Sequence, residues 1–586
     1  MTLDSLFQQS AHLQSLGNNE AAAFLYAGWL RSNVHPHSYL VWFNYGALLQ
    51  KIGRYDEACA AYAACLQFIP NFPPALINLG LSYEAKQDFE KALAAWAQLT
   101  DGPMPQDTEW RGYFLAALNH AARLLEDLDR LDQANEVLER SLSIDPRQTD
   151  VLHHWVHVQQ KACQWPVYRA LDRVRINSMI LATSPLPMLA MTDDPAVLLL
   201  NAREFVRRKW GFDEKRLASK PRKRARIRLA YLSGDFCTHA VGVLLPEVLY
   251  AHDRNAFELY AYDYSREDGS SIRNQILACF DQVRAVHTQT DEEVAKIIAS
   301  DQIDILIDLQ GISLGARPGI AACRPAALQG TWLGFIGTTG MPWLDFVVTD
   351  PYALPPSLEP FFTEEPLHVD GSFLPLALLR QNAVSPMTRS EAGFEREQIV
   401  IAALANVYKI TPEMFLLWMR LLKRFPASVL WLLDDNPTAS ENLKRMASAL
   451  GVEVSRIRFT KREAYPVYLR RLEHADLFLD SFPYNCGSTT RDVVSCGVPL
   501  VSLSGRSMVS RMGGSVLTAL GLNDYIASSF SDYEGIAAKL IDSPAERAHA
   551  RARVHHALCA SSEQISRLVR SLEQQLKSRL SILDME

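Results

Sequence analysis

The chain has 586 residues, enough for three or four domains, and its hydrophobic share of 48% and charged share of 21% are those of a folded globular protein. A formal net charge of −7 argues against a general binder of nucleic acid or of anionic membranes. The sequence shows no secretory signal, no apolar run of about 18 residues that would span a membrane, and nine cysteines scattered without a Cys-x-x-Cys pair, which together predict a reducing, cytoplasmic location.

A repeat with a period of 34 residues runs through the first quarter of the chain. The segment 44–46 (Asn-Tyr-Gly) returns at 78–80 (Asn-Leu-Gly), a degenerate third unit follows, and residues 16–29 have the pattern of the second half of a leading unit. This period is typical of tetratricopeptide repeats, so we predict an α/α solenoid of about three and a half repeats over residues 1–150. Its concave face is expected to hold an extended protein or peptide.

One asparagine falls at the equivalent position of each repeat, at Asn44, Asn78 and Asn119. Side-chain amides in a row can grip a peptide backbone without reading its side chains, which makes these three residues candidates for acceptor binding. The alternative is that they are ordinary polar residues of a helix surface. The sequence gives the two interpretations equal support.

Two regions with alternating strands and helices follow the repeats. Residues 151–222 read as a helical linker and residues 223–390 as a first strand-helix lobe. The predicted strands of this lobe are 227–233, 258–262, 303–309, 327–333 and 345–350. Strands that alternate with helices predict a parallel, doubly wound sheet, which is an α/β fold.

The same pattern restarts in residues 391–560, before a C-terminal helix at 561–586. The predicted strands of this second lobe are 399–404, 428–433, 456–459, 477–479 and 497–503. Two tandem sheets with their loops at the carboxyl ends of the strands form a cleft between them. This is the two-Rossmann, GT-B-type architecture of many nucleotide-sugar transferases.

The segment after strand 477–479 has the features of an anion site. A helix that begins near Gly487 leaves its first amides unpaired, and its dipole adds roughly half a positive charge there. Ser488 and Thr489 add hydroxyl donors, so a phosphate or diphosphate suits this place. Asp492 is suited to accept hydrogen bonds from a sugar diol. The alternative is an ordinary helix start that is capped by the Ser/Thr run.

Three other residues are candidates for chemistry at strand ends. His239 follows the first strand of the first lobe and is suited to proton transfer, although a hydrogen-bonded loop histidine is the common alternative. Lys409 follows strand 399–404 and is placed to neutralise a departing diphosphate. Asp301 precedes a strand, so Asp308, near the end of that strand, is its geometric rival. No carboxylate pair or Cys/His cluster has ligand spacing, so we expect neither a metal nor a cofactor.

In combination these segments resemble the O-linked N-acetylglucosamine transferase family, in a bacterial-type form. The resemblance covers nearly the whole chain. It is carried by the segments 232–239, 311–317, 324–326, 332–340, 408–409, 428–433 and 480–492. That family combines tetratricopeptide repeats with two catalytic lobes, and it includes a plant fucosyltransferase branch.

The resemblance implies roles residue by residue. His239 matches the family's active-site histidine, Asp301 an acidic residue proposed for proton transfer, and Lys409 the lysine on the donor diphosphate. The remaining donor-site positions, of which the last matches the carboxylate on the uridine ribose, are Asn406, Arg471, Gly487, Ser488, Thr489 and Asp492.

The chain also departs from the family pattern. Ala240 replaces the proline that usually follows the histidine, and Gly487 replaces another histidine. Tyr465 and Tyr468 stand where a lysine and a histidine contact the base in the animal enzyme. These changes leave the phosphate site in place and leave base and sugar selectivity open.

Together these features predict an inverting protein glycosyltransferase that moves one sugar from a nucleotide sugar to Ser or Thr hydroxyls. UDP-N-acetylglucosamine is the first choice of donor, and UDP-glucose and GDP-fucose remain alternatives. Transfer to Asn is a further alternative, and so is a peptide-binding scaffold with an inactive transferase lobe. The sequence does not identify the acceptor protein.

Overall fold

The computed structural model describes residues 1–102, 105, 107–211, 217, 224–376, 386–560 and 563–585. The chain divides into two compact units, Met1–Gln159 with Pro166–Ala182 and Gln160–Trp165 with Thr183–Glu586. The segment 151–222, predicted as a helical linker, is thus shared between them. The domain boundaries predicted after residues 222 and 560 adjoin residues outside the described ranges.

Antiparallel helix pairs build the first unit. Its helices, the ninth of which runs past the unit boundary, are α1 (Leu3–Ser15), α2 (Asn19–Ser32), α3 (Ser38–Lys51), α4 (Tyr55–Phe68), α5 (Pro73–Ala85), α6 (Phe89–Thr100), α7 (Thr108–Asp127), α8 (Leu131–Ile144), α9 (Thr149–Lys161) and α10 (Ile176–Ala182). The predicted half repeat at the start is wrong, because α1 and α2 form a complete pair. α1 carries no glycine, so its sequence lacks the residue by which the first helices of later pairs, α3 and α5, were recognised.

Glycine in the first helix of a pair lets an aromatic ring of the second helix pack against the backbone. A Cβ atom added at Gly46 would lie 2.8 Å from the Tyr62 ring, and one added at Gly80 would overlap the Trp96 ring. Tyr62 and Trp96 are both fully buried. The repeated glycine and the repeated aromatic residue therefore form one packing unit in the pairs α3/α4 and α5/α6.

The second unit begins with two helices and a seven-stranded parallel sheet. Its elements up to residue 376 are α11 (Pro185–Met191), α12 (Pro195–Lys209), β1 (Ile227–Ser233), α13 (Pro246–Ala251), β2 (Phe257–Asp263), α14 (Ser271–Ala278), β3 (Gln282–Ala285), α15 (Asp291–Ser300), β4 (Ile305–Asp308), α16 (Pro318–Ala322), β5 (Leu328–Thr331), β6 (Phe346–Thr349) and β7 (Glu365–His368). The strand order is β3-β2-β1-β4-β5-β6-β7. The two edge strands, β3 and β7, were not predicted.

A six-stranded parallel sheet forms the second lobe of this unit. Its elements are β8 (Ile399–Ala403), α17 (Pro412–Arg424), β9 (Ser428–Leu433), α18 (Pro437–Ala449), β10 (Ile457–Thr460), α19 (Tyr465–Leu472), β11 (Leu477–Leu479), α20 (Ser488–Ser495), β12 (Leu500–Leu503), α21 (Met512–Ala519), β13 (Ile526–Ala527), α22 (Phe530–Asp542), α23 (Pro544–Ala560) and α24 (Gln564–Met585). The strand order is β10-β9-β8-β11-β12-β13. The predicted two-lobe, doubly wound fold is therefore confirmed.

The last helix returns to the first lobe. α24 packs against α13, and the buried His252 Nδ1 lies 2.8 Å from Glu573 Oε1 of α24. None of the described helices is both long and apolar enough to cross a membrane.

The strand orders define where each sheet can hold a ligand. The chain reverses its direction of winding between β1 and β4 in the first sheet and between β8 and β11 in the second. Ligands of doubly wound sheets bind at such points, outside the carboxyl ends of the strands. The loop after β1 carries His239, the loop after β8 carries Asn406 and Lys409, and the loop after β11 leads to Ser488.

Candidate active site

A cleft of about 920 Å³ lies between the two lobes of the second unit. The first lobe lines it with the loop around His239 and with the start of α14, and the second lobe lines it with the loops after β8 and β10 and with the start of α20. Among the lining residues are Thr238, His239, Ser271, Gln275, Leu404, Asn406, Trp431, Arg462, Glu463, Tyr465, Tyr468, Ser488, Thr489, Arg491 and Asp492. The cleft thus coincides with the points where both sheets reverse direction.

The loop after β1 is held in one conformation by backbone contacts. A Cβ atom at Gly242 would overlap the backbone oxygen of Cys237, so only glycine permits this close turn. The Phe236 amide donates to Ser265 Oγ and the Thr238 amide to Asp268 Oδ2, both at 2.8 Å. These contacts define the path of the backbone on either side of His239.

The His239 imidazole is half exposed, with 49% of its side-chain surface accessible. Its Nδ1 lies 3.1 Å from Asp235 Oδ2, just after β1, and the Val241 amide also donates to Nδ1 at the longer distance of 3.4 Å. The carboxylate favours the tautomer with the proton on Nδ1, and that tautomer keeps Nε2 as a proton acceptor. The pair is therefore suited to take a proton from a hydroxyl group in the cleft.

A buried carboxylate shapes the loop that leads into α20. Asp480 accepts hydrogen bonds from the amides of Ser481 (2.9 Å) and Cys486 (2.7 Å) and from Ser502 Oγ (2.7 Å). Burial raises the pKa of Asp480 to about 6. These bonds fold residues 481–486 back on the strand end and direct the chain into α20 at Gly487.

The start of α20 is left uncapped. Gly487 occupies the N-cap position without any side-chain capping bond, and the Thr490 hydroxyl donates instead to Cys486 O (2.6 Å). The predicted alternative, a helix start capped by the Ser/Thr run, is therefore wrong. Within the described residues the amides of Gly487, Ser488 and Thr489 meet no acceptor, and an anion would satisfy them.

Lys409 lies beside this helix start. Its Nζ is 3.7 Å from the centroid of the Tyr484 ring, and among the described residues it forms no ion pair. The ammonium does not line the cleft. Its charge nevertheless acts on Asp480, whose pKa it lowers against the larger effect of burial.

Asp492 is buried at the second turn of α20 and is already partly bonded. Tyr465 Oη donates to its Oδ1 (2.6 Å), and Arg491 Nη2 donates to the same oxygen (3.1 Å). Burial raises the pKa of Asp492. Arg491 was not predicted from the sequence, where a single arginine in a polar helix suggests a solvent-exposed side chain.

Two other predicted donor-site residues differ in their positions. Asn406 lines the cleft, and its Oδ1 accepts from Arg462 Nη2 (2.7 Å). Arg471 does not line the cleft, because its guanidinium donates twice to Glu463, at 2.8 Å each. Glu463 itself lines the cleft, so Arg471 supports one of its walls.

The structure does not bring Asp301 to the cleft. Asp301 follows α15 at the amino end of β4, where it accepts from Tyr262 Oη (2.9 Å) and from the Arg284 guanidinium (3.1 Å). Its rival Asp308 accepts from the amides of Gln310 (3.1 Å) and Gly311 (2.8 Å), and burial raises its pKa to about 7. Neither is a lining residue, so both serve the scaffold in this arrangement.

The three asparagines of the first unit are partly exposed, but two of them are engaged within the repeats. Asn119 Nδ2 donates to Gln148 Oε1 (2.9 Å) and its Oδ1 accepts from Ser141 Oγ (2.7 Å). The Asn78 side chain lies beside the Tyr62 hydroxyl, which donates to Gln50 Oε1 (2.9 Å). A peptide would have to compete for these amides with groups inside the solenoid.

Comparison with known proteins adds independent findings. The family model described as Glycosyl transferase family 41 matches residues 189–374 and 380–567. Tetratricopeptide-repeat models match residues 39–72, 74–101 and 115–148.

Two curated plant proteins are similar to this chain over more than half of its length. A protein of Arabidopsis thaliana named "Probable UDP-N-acetylglucosamine--peptide N-acetylglucosaminyltransferase SEC" is 30% identical over 410 residues, which cover 66% of this chain and 42% of that protein. A Petunia hybrida protein with the same enzyme name and the designation SPINDLY is 29% identical over 326 residues, 53% of this chain and 34% of that protein. The chain therefore spans less than half the length of these relatives.

A solved structure supports the fold over nearly the whole chain. A mutant of the Thermobaculum terrenum O-GlcNAc transferase superposes with a TM-score of 0.68 and 22% identity, covering 94% of this chain and 99% of that one.

Proposed function

The chain belongs to glycosyl transferase family 41, and on that premise we propose that it moves a single sugar from a nucleoside diphosphate sugar to Ser or Thr hydroxyls of a protein. The donor of first choice is UDP-N-acetylglucosamine, the donor in the names of the plant relatives. One observation supports the proposal most strongly. A proton acceptor, His239, and an uncapped helix start with Ser488 and Thr489 line one cleft from opposite lobes.

The reaction proposed for this cleft is a single displacement. The acceptor hydroxyl oxygen attacks the anomeric carbon on the face opposite the diphosphate, and the bond from that carbon to the phosphate oxygen breaks. The nucleoside diphosphate leaves with the bonding electrons, and the configuration at the anomeric carbon is inverted. The hydroxyl proton passes to His239 Nε2 or to the departing phosphate.

The second lobe is proposed to stabilise the leaving group. The free amides at Gly487, Ser488 and Thr489 face the region where negative charge develops, and Lys409 lies beside them. Asp492 retains one oxygen for the ribose diol, while Asn406 lies near the base. This arrangement supplies positive charge from the protein itself, so we propose that no metal ion is required.

The repeats are proposed to guide an extended segment of the acceptor protein. Asn44, Asn78 and Asn119 remain the candidate contacts, although the side chains of Asn78 and Asn119 already contact groups inside the repeats. The alternative function is that of a peptide-binding scaffold without enzymatic activity. Such a protein would bind peptide but no nucleotide in the cleft.

Nucleotide binding followed by product mass tests the proposal. Calorimetry with UDP and GDP comes first, because an inactive scaffold would bind neither. The protein is then incubated with candidate acceptor proteins and one of UDP-N-acetylglucosamine, UDP-glucose or GDP-fucose, with and without EDTA, and intact masses are measured. We expect one N-acetylhexosamine per site, unaffected by EDTA, with electron-transfer fragmentation placing it on Ser or Thr. Addition to Asn, or no addition with any donor, would contradict the proposal.

A further inference from the structure

One buried charge at the junction of the lobes has no role in the function proposed above. Arg491 lies in α20 of the second lobe and is 2% exposed. Its Nη1 donates to the backbone oxygen of Val243 in the first lobe (2.8 Å). Its Nη2 donates to Tyr465 Oη (2.8 Å) and to Asp492 Oδ1 (3.1 Å). One guanidinium therefore joins the donor-binding wall of the cleft to the opposite lobe.

The contact on the first lobe lies next to the candidate proton acceptor. The Val243 amide donates to the backbone oxygen of His239 (3.0 Å). Two consecutive hydrogen bonds thus connect the Arg491 side chain to the backbone that carries the imidazole. This connection joins the two walls of the cleft, and within the described residues no other lining residue forms a hydrogen bond to the opposite lobe.

The chemistry of arginine explains why this residue suits the position. A planar guanidinium presents separate donors on its two nitrogen ends, so it can hold a backbone carbonyl with one and a carboxylate with the other. Its Nε is buried without a partner among the described residues, which is a cost that an apolar side chain would avoid. What the arginine adds is therefore the pair of fixed contacts to Val243 and Asp492.

We propose that Arg491 is a positioning residue that fixes the His239 loop relative to the bound donor by bridging Asp492 and Val243. The catalytic part of this inference rests on the proposed function, and the structural part does not. Binding of a ribose diol at Asp492 would act on the same guanidinium. Nucleotide binding and the order of the His239 loop are therefore coupled through it.

Two substitutions separate the charge from the bridge. Arg491→Lys keeps a positive charge beside Asp492, but its single ammonium cannot hold Val243 O as well. Arg491→Met removes both contacts at similar length. The matched control is Arg456→Met, which removes a partly buried arginine that donates to Ser428 O (2.9 Å) and Leu422 O (2.7 Å), away from the cleft.

Hydrogen exchange of the full-length, ligand-free protein tests the bridge itself. Peptides that cover residues 235–244 are expected to exchange about tenfold faster or more in both Arg491 variants and at the wild-type rate in Arg456→Met. Saturating UDP is expected to slow this exchange in the wild type and not in Arg491→Lys. Wild-type exchange in both Arg491 variants would overturn the inference, whether or not the protein is a transferase.

Kinetics test the positioning role. For Arg491→Lys we expect a UDP dissociation constant within about threefold of the wild type and a kcat lower by about tenfold or more, since the donor stays bound while the proton acceptor is displaced. An unchanged kcat in this variant would overturn the role. If the wild type binds no nucleotide, the proposed function fails, and the exchange experiment still decides the bridge.

Discussion

At the residue scale, the group expected to matter most for turnover is His239. Its substitution by Ala removes the only imidazole that lines the cleft among the described residues, so kcat should fall about 10²-fold or more. The dissociation constant for UDP should stay within about twofold, because the diphosphate is expected on the other lobe. Steady-state kinetics and calorimetry measure the two quantities. His287→Ala, an exposed histidine of the same lobe outside the cleft, is the control. A variant with more than half of the wild-type kcat would show that the proton goes elsewhere.

A second residue-scale prediction concerns Asp308. Burial raises its pKa to about 7, above the value near 3.8 of an unfolded chain. Folding thus favours the protonated form, and the stability that this group contributes is complete below about pH 3.8 and is lost as the pH rises through 7. Asp308→Asn cannot titrate, so the wild-type midpoint in urea should fall relative to that of the variant between pH 4.5 and 7.5. A constant difference across this range would contradict the prediction.

The sequence identified those site residues that directly follow a predicted strand. His239, Asn406, Ser488 and Thr489 each follow a predicted strand, and parallel strands gather such loops at one edge. Arg491 could not be found in this way, because its partner Val243 is brought to it only by the packing of the two lobes. For Arg471 the sequence does not show that its guanidinium pairs with Glu463, eight residues earlier, and so supports a wall of the cleft.

At the element scale, the start of α20 offers a direct test of the anion site. Ser488→Asp places a carboxylate where the diphosphate is expected, while an acidic residue in the first turn favours the helix itself. UDP affinity should therefore fall about tenfold or more without loss of thermal stability.

Ala545→Asp is the matched control for this substitution. It adds the same charge in the first turn of α23, at an exposed position outside the cleft, and should leave UDP binding unchanged. Calorimetry of both variants measures the effect. Equal affinities for the two variants would show that the diphosphate binds elsewhere.

Element prediction succeeded for the inner strands and for the edge strand β10, and it missed the edge strands β3, β7 and β13. The bounds predicted for β1, β9 and β11 agree with the structure, since these strands are mostly apolar and mostly buried. β3 and β13 are short edge strands, and the apolar content of four or two residues does not distinguish them from loops. Much of the site was predictable because its loops follow strands that the sequence predicts, namely β1, β8, β10 and β11.

At the scale of the whole molecule, the site depends on a segment that lies outside both lobes in sequence. Residues Gln160–Trp165 belong to the second unit although the chain on either side belongs to the first. Asn436 Nδ2 donates to Lys161 O (3.0 Å) and Asn442 Nδ2 to Ala162 O (2.8 Å). Cys163 Sγ contacts Val407 O (3.5 Å), in the loop that carries Asn406 and Lys409. The donor loop is thus supported from this segment.

Two fragments test this dependence. A fragment of residues 160–586 keeps the segment and should bind UDP with the affinity of the full chain. A fragment of residues 183–586 leaves the two asparagine side chains and the donor loop without their partners, so its melting temperature should be lower and its UDP affinity about tenfold weaker. Calorimetry and thermal unfolding measure both. Equal affinity and stability of the two fragments would show that the segment only connects the repeats to the lobes, whereas the predicted difference would extend the functional unit back to residue 160.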